Sequence, residues 1–143
     1  MAGERILLVE DNAKNMTLLR DVLRTTGYRT LEASTGGQTL AVAIEHAPVL
    51  VLMDIRLPDM DGMEALTRLR MDERTAHIPV VAVTAQAMQG DRERFIEAGF
   101  DGYLSKPIDI DELLTTVERH CRGRGGWSPR LREQNRADAR EAK

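Results

Sequence analysis

The chain is 143 residues long, with 42% apolar and 30% charged residues and a formal net charge of −3. This composition excludes a disordered chain, and the length excludes two full-sized domains. A single cysteine, Cys121, excludes an internal disulfide or a multi-thiolate metal centre. No apolar run approaches the about 18 residues of a membrane span, and residues 1–5 carry no signal-peptide pattern, so a cytoplasmic location is expected.

The net charge averages two unlike parts. Residues 1–121 carry 13 Lys+Arg against 20 Asp+Glu, net −7, whereas residues 122–143 carry 7 against 3, net +4. An acidic body argues against nucleic acid as its main ligand, because phosphate neutralisation needs a positive surface.

In chain order, the first β-branched run is 5–9, which contains Ile6-Leu7-Leu8-Val9 and leads into Glu10 and Asp11. A helix over 15–26 follows, with Met16, Leu19, Val22 and Leu23 on one side and Gly27 as a left-handed stop. The run 29–32 continues into Ala33 and Ser34, and the run 49–53 leads into Asp54. Asp61 followed by Glu64 resembles a capping box that opens a helix through Met63, Leu66 and Leu69. The run 79–83 leads into Thr84, a helix from about 88 to 98 stops at Gly99, and the run 102–105 leads into Lys106. Asp109 and Glu112 open a last helix in which Leu113, Val117 and Cys121 recur every fourth residue.

Three of the runs are apolar without alternation, as expected for parallel strands covered by helices on both faces. The alternation of strand and helix predicts a doubly wound α/β fold with five parallel strands in an order such as 2-1-3-4-5, and five helices. Beyond Cys121, Gly123, Gly125, Gly126 and Pro129 break any helix. Residues 1–121 are therefore expected to form the domain and 122–143 a flexible basic tail.

In such a sheet, ligands sit outside the carboxyl ends of the strands. Glu10, Asp11, Asp54, Thr84 and Lys106 all follow strands there, so three carboxylates, a hydroxyl and a lysine should converge. Two unit charges roughly 4 Å apart repel by about 4 kcal/mol at an effective dielectric of about 20, so either a carboxyl stays protonated or a cation sits among them. Lys106 offsets one charge, and a hard oxygen-liganded ion such as Mg²⁺ or Mn²⁺ offsets more. Asp54, leaving an apolar strand, has the position of a carboxylate nucleophile that forms an aspartyl-phosphate. Taken singly, an Asp after a strand is most often a cap, Thr84 a turn residue and Lys106 a surface charge; their conjunction is the specific signal. His46, His77 and His120 follow no strand at this edge and read as surface or helix-end residues. No glycine-rich phosphate loop is present, so no nucleotide or flavin site is expected.

Val9-Glu10-Asp11-Asn12, Leu52-Met53-Asp54-Ile55-Arg56-Leu57-Pro58 with Met60-Asp61-Gly62, Val83-Thr84-Ala85 and Ser105-Lys106-Pro107 resemble the receiver domain of bacterial two-component response regulators. The resemblance spans residues 4–121 and implies a flavodoxin-like fold. It implies Asp54 as phosphoacceptor, with Glu10, Asp11, Asp54 and the Arg56 backbone carbonyl holding Mg²⁺. It further implies Lys106 as phosphate counter-ion, Thr84 and Tyr103 as a switch pair, and a cis Lys106–Pro107 bond. Residues 76–85 and 87–91 resemble DivK-type single-domain receivers of the cell cycle, and are similar also to receivers attached to hybrid histidine kinases.

The implied activity is phosphoryl acceptance from a sensor histidine kinase or a histidine phosphotransfer protein, with output through a downstream protein target. No membrane or nucleic-acid partner is expected, and the chain should be a monomer or weak dimer. It should act as a switch that promotes its own phosphorylation and slow autodephosphorylation, not as an enzyme. The competing reading is a Mg²⁺-dependent phosphohydrolase of haloacid-dehalogenase-like chemistry. Such enzymes usually carry the nucleophile in a D-x-D after the first strand, where this chain has Glu10-Asp11-Asn12.

Overall fold

The computed structural model describes residues 4–85 and 91–122. Within them the chain runs β1 (Arg5–Val9), α1 (Ala13–Thr25), β2 (Arg29–Ala33), α2 (Gly36–His46), β3 (Leu50–Asp54), α3 (Gly62–Met71), β4 (Val80–Thr84), α4 (Asp91–Ala98), β5 (Gly102–Ser105) and α5 (Ile110–Arg122). The strands form one parallel sheet in the order β2-β1-β3-β4-β5. The expected flavodoxin-like doubly wound architecture is therefore the observed one.

The continuous apolar strands divide between two cores by strict alternation, because successive side chains of a strand point to opposite faces. Leu7, Val9, Val51, Met53, Val80 and Ala82 face one cluster, which also contains Ala43, Leu66, Leu69 and Phe95 from α2, α3 and α4. Ile6, Leu8, Leu50, Leu52, Val81, Val83 and Leu104 face the other, which takes Met16, Leu19 and Leu23 from α1 and Leu113, Val117 and Cys121 from α5. Every residue of β3 and β4 is buried, which is why neither strand shows a polar face in sequence.

The local signals act where expected, with small shifts. Asp61 caps α3 by accepting from the Glu64 N–H at 2.9 Å, and Asp109 does the same for Glu112 at 3.0 Å. Helix α1 begins earlier than the apolar pattern implies, because Asn12 caps it by accepting from Asn15 N–H at 3.0 Å. Gly27 and Gly99 both have positive φ, 101° and 114°, as the reversals out of α1 and α4 require. The part of the expected fourth helix near residue 88, and the tail beyond Arg122, lie outside the described residues. The domain boundary drawn at residue 121 falls one residue inside α5, whose last residue is Arg122.

Candidate functional site

The site is assembled at the carboxyl edge of the three central strands and β5. Asp54 and Thr84 are the last residues of β3 and β4, rather than the first residues beyond them. The ladder extends because the Ile55 N–H reaches Val83 O at 3.2 Å and the Lys106 N–H reaches Thr84 O at 2.8 Å. Glu10 likewise continues β1, its N–H donating to Ala33 O at 3.0 Å.

The same alternation that sorts the core sorts the site. Glu10, Asp54 and Lys106 share strand parity with Leu8, Leu52 and Leu104, which belong to the α1/α5 side. Thr84 and Tyr103 share parity with Ala82 and fall on the opposite side, toward α4. Tyr103 is half-buried there, stacked on Phe95 of α4 with ring centroids 5.5 Å apart and 27° between planes. Thr84 is buried at the strand end. By alternation, the expected switch residues leave their strands toward the face opposite to that of Glu10, Asp54 and Lys106, with Thr84 at the same carboxyl edge.

Lys106 Nζ lies 2.9 Å from Glu10 Oε1 and 3.0 Å from Asp54 Oδ2. Glu10 and Asp54 are 2% and 6% exposed, so this is a buried ion cluster and not a surface pair. Carboxylate oxygens of Glu10, Asp11 and Asp54 come within 4.8 Å of one another, with Asp11 exposed at the rim. Among the described residues, then, one ammonium faces three carboxylates.

The electrostatics register that imbalance. Burial raises the Glu10 carboxyl above its ordinary 4.5; Lys106 and the Asn12 N–H at 3.1 Å pull it back, and Asp54 pushes it further up. Burial opposes the Lys106 ammonium, but the Glu10 and Asp54 carboxylates beside it outweigh that and hold its pKa above 10.5. Glu10 Oε1 is buried without a hydrogen bond of good geometry, despite the close ammonium. A buried, under-satisfied oxygen within a group of hard carboxylates fits a divalent oxygen-liganded cation such as Mg²⁺.

The loop from β3 to α3 closes over the group. Arg56 N–H donates to Asp54 Oδ1 at 3.0 Å, fixing the carboxylate, while the Arg56 side chain is exposed. Gly62 N–H donates to Ile55 O at 2.6 Å, and a Cβ on Gly62 would meet Ile55 Cα at 2.9 Å, so only glycine permits this closure. The Lys106–Pro107 bond is cis, as the resemblance implies. None of this loop geometry is visible in residue spacing, although Pro58 and Gly62 mark a turn-rich segment.

The remaining candidates stay outside the group. His46 ends α2 beside Glu45 at 3.9 Å, His77 is exposed before β4, and His120 lies in the last turn of α5. Burial pushes the Cys121 thiol up to about 12, which leaves it inert at neutral pH. Among the described residues, no helix is long and apolar enough to cross a membrane.

Comparison with known proteins agrees with this geometry. The response regulator receiver domain family model matches residues 6–118. The polar-differentiation response regulator DivK of Brucella ovis is 44% identical over 115 residues, covering 80% of this chain and 94% of DivK. The crystal structure of the receiver domain of the sensor histidine kinase PA1611 of Pseudomonas aeruginosa PAO1, with a magnesium ion coordinated in its active-site cleft, superposes with a TM-score of 0.77. It is 41% identical and covers 84% of this chain and 98% of that one. The chemotaxis response regulator CheY4 of Vibrio cholerae gives a TM-score of 0.76 at 26% identity, covering 84% and 98% of the two chains. Receiver domains are signalling switches that work with histidine kinases and downstream proteins, and the phosphohydrolase reading is not favoured. The chain belongs to the response regulator receiver domain family, with a DivK-like sequence.

Proposed function

We propose that Asp54 is the phosphoacceptor of this receiver and that Glu10, Asp11, Asp54 and the Arg56 backbone carbonyl hold one Mg²⁺, with Mn²⁺ as a substitute. The observation that carries the reading is the group of three carboxylates, two buried and one at the rim, facing a single ammonium. When bound, Mg²⁺ supplies charge neutralisation for phosphoryl oxygens.

The chain's own residues do the rest. An Asp54 carboxylate oxygen attacks the phosphorus of a phosphohistidine on a sensor kinase or a phosphotransfer protein. The new O–P bond forms as the P–N bond breaks, and the departing imidazole takes a proton. Arg56 N–H fixes one Asp54 oxygen, and Lys106 neutralises charge developing on the phosphoryl group. The Thr84 hydroxyl donates to a phosphoryl oxygen, and its movement frees space on the α4 side into which Tyr103 turns from its stack on Phe95. The partner-facing surface of α4, β5 and α5 changes with it. Attack of water on the acyl phosphate returns the chain slowly to its resting state.

Similarity to the polar-differentiation response regulator DivK supports output through a downstream protein in polar differentiation. The test is phosphoryl transfer from a phosphohistidine donor, or beryllofluoride binding, with and without Mg²⁺. The wild-type chain is expected to accept the group only with Mg²⁺, and the Asp54→Asn variant not at all; normal labelling of that variant sinks the assignment.

A further inference from the structure

Asp59 projects from the β3–α3 loop onto a different element. Its Oδ1 accepts from Gly36 N–H at 2.8 Å and its Oδ2 from Gly37 N–H at 3.0 Å, the first two amides of α2. Thr35 Oγ1 takes the next, from Gln38, at 3.1 Å. Three of the donors that a helix start leaves orphaned are thus satisfied, two of them by a residue more than twenty positions away in sequence. A carboxylate is also favoured there by the helix dipole.

The contact is reinforced by packing. A Cβ on Gly36 would meet Met60 Cγ and Sδ at 2.5 Å, so Met60 fills the space that a side chain at position 36 would occupy. The loop is therefore held at its base by Ile55 and Gly62, and at its tip by Asp59 and Met60 on α2. Between those two mounts lie Arg56, whose N–H orients Asp54, and an isolated bridge from Arg56 to Asp61.

We infer that Asp59 is a positioning residue: by anchoring the loop to the start of α2, it holds the Asp54 carboxylate and the Arg56 carbonyl where a divalent cation needs them. This rests on the Mg²⁺ reading of the site given above. Without the anchor, the loop keeps its base but gains freedom at its tip, and ordering it again must be drawn from metal binding. Partners that orient ligands in this way are worth about 10- to 100-fold in metal affinity.

The test uses the full chain with Asp59→Ala, Asp59→Asn, Gly36→Ala and Thr35→Ala, and reads Mg²⁺ binding by isothermal titration calorimetry beside thermal unfolding without metal. Asp59→Ala is expected to weaken Mg²⁺ about tenfold, and Asp59→Asn, which keeps one acceptor, to weaken it less. Gly36→Ala displaces Met60 with Asp59 intact and is expected to reproduce the loss. Thr35→Ala removes an α2 cap without touching the loop; it lowers Tm but leaves Mg²⁺ affinity within about twofold. At saturating Mg²⁺, acceptance of phosphate from acetyl phosphate returns to the wild-type rate in the Asp59 variants. Wild-type Mg²⁺ affinity in Asp59→Ala overturns the inference, as does an affinity that simply follows Tm across the variants. If the wild-type chain binds no Mg²⁺, the reading of the site itself fails and the anchor falls with it.

Discussion

Arg70 and Lys106 bridge distant parts of the chain from opposite ends of the β4–β5 pair. At the amino ends of the strands, the Arg70 guanidinium donates to Ala76 O at 3.1 Å, Ile78 O at 2.6 Å, Gly99 O at 3.0 Å and Asp101 Oδ2 at 2.8 Å. Asp101 Oδ2 also accepts from Val80 N–H at 2.8 Å, so the corners before β4 and β5 are tied to α3 through a network balanced in charge and rich in carbonyl partners. At the carboxyl ends, the Lys106 ammonium meets two buried carboxylates, with a third at the rim. The first cation completes a structure; the second leaves negative charge in excess. A balanced network stabilises the fold, whereas an unbalanced buried one holds standing affinity for a ligand of the missing charge.

Substitutions at the two ends should separate these roles. Lys106→Met has the largest expected effect, because it removes charge neutralisation from both the resting and the reacting site. Phosphoryl acceptance should fall about 100-fold in a labelling assay. Metal-free stability at pH 7 should fall by about 3 kcal/mol in urea titrations, with added Mg²⁺ recovering part of it. Arg70→Ala should cost about 2 kcal/mol by the same titration, since it strips partners from several carbonyls. Its Mg²⁺ affinity should stay within about twofold of wild type by calorimetry; a large loss there would break the distinction between the two ends.

Glu10→Gln should act in the opposite direction on stability. Burial disfavours ionised Glu10, so the neutral isostere is expected to raise the Tm of the metal-free chain while weakening Mg²⁺ binding. The pH dependence follows with its sign. The folded-state pKa of Glu10 lies above 4.5, so its contribution to stability is full below that value and is lost as pH rises through the folded pKa. Mg²⁺ affinity, which needs the carboxylate, should rise over the same window, as calorimetry at stepped pH would record. The smallest effect belongs to Asp72, which Arg74 holds down to about 2 from 3.8. That contribution is present above 3.8 and is lost as pH falls toward about 2; because the pair lies at the surface, salt should screen it in acid melts of Asp72→Asn.

Much of this was legible in the residues because it is local. Strand runs, the Asp61 and Asp109 caps and the Gly27 and Gly99 reversals depend on neighbours within about a helical turn. The acidic edge was also legible, since topology alone brings strand ends together. The Asp59 anchor was not, because its signal is split between Pro58-Asp59-Met60 and Thr35-Gly36-Gly37, two segments with no shared periodicity. The start of α1 was misplaced for a similar reason: Asn12 serves both as the cap of that helix and as a neighbour of Glu10, and the apolar stripe begins later.

By itself, the sequence determined the parallel α/β sheet, its helices and which polar residues emerge at its carboxyl edge, because those follow from period and from the rule that buried strands are apolar. Only the tertiary structure decided which side of the sheet each site residue takes. In β3 and β4 both faces are apolar, so alternation carries no mark of direction until helices cover them. Packing of α1 and α5 on one side and α2, α3 and α4 on the other placed Glu10, Asp54 and Lys106 together, with Tyr103 against the opposite core. It also joined Lys106 to Asp54 across 52 residues and Asp59 to Gly36 across 23, contacts whose closure the folded core alone sustains.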